Sequence, residues 1–103
     1  FRYGIQSMSS LHTVNRSPDS NLLEICIKVV SAGDAILFIE DGVYYCNSPI
    51  KLKTITETVK VYGLREDMLT RATLAKAMDN VEAIDTARFV ELCCEHDKVV
   101  SWF

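Results

Sequence analysis

Ser31-Ala32-Gly33-Asp34-Ala35-Ile36-Leu37-Phe38-Ile39-Glu40-Asp41-Gly42 is the stretch on which the fold of this chain turns. Residues 35–39 form a near-continuous apolar run, the pattern of a parallel strand covered on both faces. Ala32-Gly33-Asp34 ends a preceding helix, since a glycine there accepts the left-handed backbone that closes helices. Glu40-Asp41-Gly42 turns the chain at the strand's carboxyl end, where open α/β sheets place their sites. This is the expected central strand.

The flanking sequence repeats the alternation. Upstream, residues 11–14 form a short first strand, and Ser17 followed by Pro18 starts a helix, with Asn21 and Glu24 as a second cap. That helix is expected to reach about Ser31. Its apolar arc carries Leu22, Leu23, Ile25, Cys26, Ile27, Val29 and Val30, opposite Glu24 and Lys28. Downstream, residues 43–53 read as irregular or weakly helical, with Pro49 breaking any regular element. Residues 58–64 supply another strand, and a helix follows from about Glu66. Residues 81–84 make a fourth strand. Asp85 then caps a helix whose apolar arc holds Phe89, Val90, Leu92, Cys93 and Cys94, with His96 and Lys98 at its negative end. Residues 99–103 close the set as a fifth strand. The alternation predicts an α/β chain with a three-layer α/β/α, five-stranded, mostly parallel sheet, but leaves the strand order open.

Size and composition bound the rest. At 103 residues the chain suits one core, and 49% apolar with 24% charged residues separates it from disordered sequences. Residues 1–7 precede Met8 and read as an extension, leaving 8–103 as a single domain. The formal net charge of −3 gives no basic footprint, so direct nucleic-acid binding is disfavoured. No apolar run approaches the ~20 residues that span a bilayer, and residues 1–10 lack the apolar core of a secretory signal. A cytoplasmic chain without a membrane partner is expected, and its four cysteines, two of them adjacent, then read as thiols rather than as a disulfide framework.

Several stretches resemble the DsrH/TusB family of sulfur-relay subunits. They are Leu11-His12-Thr13-Val14-Asn15-Arg16-Ser17-Pro18, Gly33-Asp34 leading into Glu40-Asp41-Gly42-Val43-Tyr44, and Val61-Tyr62 with Leu64-Arg65-Glu66-Asp67. The ending carries most weight: Phe89-Val90-Glu91-Leu92, His96-Asp97-Lys98-Val99 and Ser101-Trp102-Phe103 are similar to the family's carboxyl-terminal signature. The resemblance implies a five-stranded subunit that joins DsrE/TusD-like and DsrF/TusC-like sisters in a heterohexamer. It also implies a DsrC/TusE-like acceptor and sulfur carried as a cysteine persulfide, for 2-thiolation of the tRNA wobble uridine or for dissimilatory sulfur oxidation. The DsrH branch carries a cysteine in its first helix, and Cys26 occupies the matching place. Two positions depart from the family: Ala72 replaces a glycine after Arg71, and Thr86 replaces a tyrosine. Without that glycine the helix from Glu66 is expected to run on into residues 74–78.

Persulfide transfer needs an accessible thiolate, and a free thiol begins near ~8.5. Cys26 is the candidate catalytic residue by position. It also lies near the middle of the apolar arc, where a small core residue belongs, so carrier and core readings both stand. Packing explains Cys93 and Cys94 on their helix, and a metal corner from Cys93, Cys94 and His96 lacks a second half-site. Cys46, in the segment after the Glu40-Asp41-Gly42 turn, is the thiol expected to be accessible. His12 and Ser17 could suggest a base and a nucleophile, but no strand-turn-helix elbow surrounds the serine, which reads as a cap. Glu40 and Asp41 read as an Asp-Gly turn before an acid/base pair. No phosphate-cradling glycine motif is present, so neither cofactor nor metal is implied. Trp102-Phe103 is expected to share its surface with a partner. Three functions follow: a sulfur-relay subunit using Cys26, a structural subunit whose sister holds the active thiol, and a small-molecule-binding domain with a pocket at Glu40-Asp41-Gly42.

Overall fold

The computed structural model describes residues 9–52, 55 and 59–103. The expected extension at residues 1–7 lies outside them, as do the expected strand start at 58 and segment end at 53. The elements run β1 (Ser10–Val14), a 3-10 turn (Pro18–Ser20), α1 (Leu22–Ile27), β2 (Ala35–Phe38), a long 3-10 segment (Glu40–Asn47), α2 (Pro49–Leu52), β3 (Lys60–Leu64), α3 (Arg65–Thr70), β4 (Val81–Ile84), α4 (Thr86–Glu95) and β5 (Lys98–Trp102).

All four strand pairings are parallel, in the order β4-β3-β2-β1-β5. β2 is central, as its doubly apolar sequence requires. The order also explains the layers. From β1 to β4 the chain steps one way across the sheet, and right-handed crossovers put those three connections on one face. The return from β4 to β5 runs the other way, so the same handedness puts α4 on the opposite face. Side-chain packing agrees. Val14, Ile36, Phe38 and Val61 meet Leu23 of α1, Tyr45 of the 3-10 segment, Leu52 of α2 and Met68 of α3. Leu11, Ala35, Leu37, Tyr62 and Ile84 pack under Leu92 of α4, with Phe89 and Cys93 partly covered. One face therefore has three connections over it and the other a single helix.

Four local readings change. The first helix is split and shorter than expected, because Asn21 turns left-handed at φ 64° between the 3-10 turn and α1, which ends at Ile27. β-Branched Ile25, Ile27, Val29 and Val30 are weak helix formers, and no capped end carries the helix to Ser31. The buried stripe is correspondingly narrow: Leu23 and Cys26 are enclosed while Ile25 and Val29 are exposed. Of the two readings for the segment after β2 the helical one holds, as a 3-10 run and a single α turn, and Pro49 opens α2 instead of breaking it, since its missing N–H falls where a first-turn donor has no partner in the helix.

Thirdly, α3 stops at Thr70. The Thr73 N–H donates to the Met68 carbonyl at 2.8 Å and the Ala72 N–H to the Leu69 carbonyl at 3.2 Å, a Schellman closure with Ala72 forced to φ 56°. The closure forms although its left-handed position holds alanine. Fourthly, Ser17 does not cap a backbone N–H, because its hydroxyl donates to the Asp19 carboxylate. Asp85 does cap α4, accepting from the Arg88 N–H at 2.9 Å, and the His96 Nδ1 meets the Leu92 carbonyl at 2.8 Å at the helix's other end.

Candidate functional site

Open α/β sheets bind ligands outside the carboxyl ends of neighbouring strands whose following connections leave to opposite faces. Here those strands are β3, leading to α3, and β4, leading to α4. At those ends and the starts of the helices that follow stand Leu64, Arg65, Glu66, Asp85 and Thr86. The Thr86 hydroxyl donates to Glu66 Oε1 at 3.3 Å, tying the two exits together, and Arg65 is exposed beside them. None of the four cysteines stands at these positions.

The carboxyl end of β2 is filled. A Cβ on Gly42 would lie 2.0 Å from the Val14 carbonyl oxygen, so only glycine lets this turn close against β1. That same carbonyl accepts from the Ile39 N–H at 3.1 Å. Glu40, at φ 50°, donates its N–H to Asp67 Oδ2 at 2.7 Å, and Asp41 pairs with Arg71 Nε at 2.8 Å. The Glu40 backbone and the Asp41 carboxylate thus tie this turn to α3.

The cysteines divide by depth. Cys26 has no exposed surface, and burial, with a smaller contribution from the Asp34 carboxylate, pushes its thiol up to about 12. At pH 7 such a thiol is ionised in roughly one molecule in 10⁵. Cys46, the thiol expected to be accessible, is instead fully enclosed, and burial pushes it likewise up to about 12. Gly63 is why it fits: a Cβ there would stand 2.9 Å from Cys46 Sγ and 2.7 Å from Met68 Sδ. The loop-like composition around Cys46 gives no hint that the segment folds down onto a glycine of a distant strand. Cys93 is half-buried, with its thiol raised by burial and then by Cys94. Cys94 is exposed, contrary to its expected packing role, because Leu92 rather than Cys93 is the deep residue of α4.

One buried polar constellation has no counterpart in the sequence reading. His12, in the middle of β1, is 3% exposed and sits between Asp34 and Trp102. Its Nε2 lies 3.0 Å from Asp34 Oδ2, and Trp102 Nε1 donates to its Nδ1 at 3.1 Å. An indole N–H can only donate, so Nδ1 carries the lone pair and Nε2 carries the proton toward Asp34. Asp34 also accepts from the Ser10 N–H at 2.9 Å and the Ser31 N–H at 3.0 Å. Burial alone would raise the Asp34 carboxyl. The Ser31, Ser10 and His12 hydrogen bonds outweigh it and hold the group below the usual carboxylate range. The signals available in sequence were a histidine inside a strand and an aspartate one residue before the next. His12 therefore partners Asp34 and not Ser17. Of the terminal aromatics, Trp102 is drawn inward by this bond while Phe103 stays 77% exposed.

These features define a class: a three-layer α/β/α domain whose all-parallel sheet runs 4-3-2-1-5, with no thiol at the switch point. The fold is that of the ychN protein from E. coli, which superposes with a TM-score of 0.77 at 16% identity over 93% of this chain and 100% of that one. Protein Tm0979 from Thermotoga maritima superposes at 0.65, with 23% identity over 84% of this chain and 92% of its own. A family model described as DsrH like protein matches residues 16–99. The chain is also 30% identical over 94 residues to Protein TusB of Escherichia coli O81 and 32% identical to Protein TusB of Pectobacterium parmentieri, each alignment covering 89% of this chain and 99% of the relative. The chain belongs to the DsrH-like family.

Proposed function

We propose that this chain is a structural subunit of a sulfur-relay complex, shaping the assembly while a sister subunit carries the active cysteine. The sulfur-relay part rests on the family. The structural part rests on one observation: Cys26, the family-position thiol, is sealed in the core with its proton held to about pH 12. Attack on a donor persulfide requires a thiolate with a path to the donor, and burial of this kind removes both. The switch point carries Arg65, Glu66, Asp85 and Thr86, which hold no nucleophilic sulfur. DsrE/TusD-like and DsrF/TusC-like sisters in a heterohexamer, a DsrC/TusE-like acceptor and a cytoplasmic setting complete the proposal. Among the described residues, no helix is long and apolar enough to cross a membrane.

The test is persulfide loading of the assembled complex, read by intact and peptide masses, for the wild-type chain and Cys26→Ser. The expected result is sulfur on a sister cysteine, none on Cys26, and transfer to the acceptor at an unchanged rate in the variant. Sulfur recovered on the Cys26 peptide, together with lost transfer in Cys26→Ser, would overturn the structural role and establish Cys26 as a carrier.

A further inference from the structure

His12 is bonded through both ring nitrogens, and the two bonds respond oppositely to a proton. Nε2–H donates to Asp34 Oδ2 at 3.0 Å, a bond that a positive ring strengthens. Nδ1 accepts from Trp102 Nε1–H at 3.1 Å, a bond that exists only while the ring is neutral. A protonated imidazole carries an N–H on each nitrogen, and an indole nitrogen can only donate. Gain of one proton therefore sets Nδ1–H against Nε1–H, and the buried pair cannot stay as it is.

The surroundings decide which end gives way. Asp34 is held by the Ser10 and Ser31 N–H groups at 2.9 and 3.0 Å, and these bonds with His12 keep its carboxyl below the usual carboxylate range, so it is still ionised when a histidine gains its proton. His12 itself is fixed in β1, with β2 on one side and β5 on the other. Trp102 stands on the edge strand β5, half-buried, beside the exposed Phe103, and its carbonyl accepts from the Asn15 N–H at a long 3.4 Å. The other titratable and charged groups on the elements packed here leave the balance to these two bonds. Cys26 of α1 is neutral, with its thiol pushed up to about 12. Glu24 of α1 pairs with Lys51 at 3.0 Å, while Lys28 of α1 and Lys98 of β5 are exposed.

We propose that His12 is a proton-operated latch on β5: neutral, it holds the Trp102 indole against the sheet, and protonated, it keeps Asp34 and releases the indole. The released ring leaves the flank beside Val14, its partner in the β1–β5 register, and adds to Phe103 as a second exposed aromatic side chain. The main-chain pairing of Ser10 to Thr13 with Lys98 to Ser101 does not pass through the imidazole, so the change is local. The chain thus offers in acid an apolar surface that it withholds at neutral pH. The inference is independent of the sulfur-relay reading.

Trp102 is the one tryptophan in the sequence, so fluorescence of the full chain reads the latch directly. Between about pH 8 and 5, the range over which histidine changes charge, emission should move to the red and acrylamide quenching should rise severalfold, with far-UV circular dichroism unchanged. Loss of the acceptor should shift the ratio of docked to free indole by about tenfold or more. In ¹H–¹⁵N spectra the indole N–H signal should move along the same titration curve as the ring signals of His12. His12→Asn keeps an acceptor where Nδ1 stood but takes up no proton, so its indole should stay docked throughout. His96→Gln, which removes the other histidine, should behave as wild type. Should His12→Asn fail to fold, the wild-type spectra decide alone. An indole signal that stays constant over this range, one that follows a titration other than that of His12, one that still moves in folded His12→Asn, or circular dichroism lost in step with it would each overturn the proposal.

Discussion

Replacing Asp34 with asparagine probes the buried polar constellation directly. The carboxylate, 7% exposed, receives three donors: Ser10 N–H on Oδ1, and Ser31 N–H and His12 Nε2–H on Oδ2. Asparagine keeps the shape but has one carbonyl oxygen and one NH₂. In its better orientation the oxygen retains Ser31 and His12 while the NH₂ confronts the Ser10 N–H, and loss of that N–H's acceptor alone costs about 1–3 kcal/mol. The two surviving bonds lose their charge assistance, about half their strength. Together these give a loss of about 2–4 kcal/mol at pH 7, a large fraction of the ~5–15 kcal/mol that holds a domain of this size.

Urea unfolding followed by circular dichroism should therefore show the midpoint falling by roughly 1–3 M. Because the Asp34 carboxyl is held low in the folded chain, its contribution is complete above the unfolded value near ~3.9 and fades as pH falls through the folded one. The gap between wild type and Asp34→Asn should accordingly narrow in acid. A gap below about 0.5 kcal/mol at pH 7, or one that stays constant into acid, would refute the assignment of a stabilising carboxylate here.

Ala72→Gly should stabilise the chain, since glycine relieves the φ 56° strain of the α3 closure. After allowance for glycine's greater freedom when unfolded, the gain is about 0.5–1 kcal/mol, or roughly 2–8 °C in calorimetry, and a fall in Tm would show that Ala72 is unstrained. Alkylation with iodoacetamide at pH 8, mapped by peptide masses, should modify Cys94 first and Cys93 more slowly, while Cys26 and Cys46 react only on unfolding. Prompt labelling of Cys26 in the folded chain would reveal an opening that gives this thiol access to solvent.

The sheet was legible in sequence because its strands are short apolar runs separated by helical stretches, and that pattern is local. Ala35–Phe38 announces a doubly covered strand without any reference to its neighbours. The strand order was not legible, since it follows from which crossovers step forward and which returns. The depth of Cys46 depends on Gly63 in β3, and the trapping of His12 depends on Trp102, ninety positions along the chain. Helical periodicity placed Cys26 in an apolar arc, and the structure encloses it there, but the wheel could not tell its inner stripe from its exposed flank. Cys94 was misplaced for a related reason: α4 stands alone on its face and buries only a narrow line through Leu92.

β1 lies between β2 and β5 in space, yet β5 is the last of the five strands to be made. A sheet of β1 to β4 alone leaves one flank of β1 bare and the imidazole of His12 without its indole donor. Until the last strand docks, the folding sheet is four strands wide with the β1 margin open to solvent, and the arrival of β5 is the event that seals it.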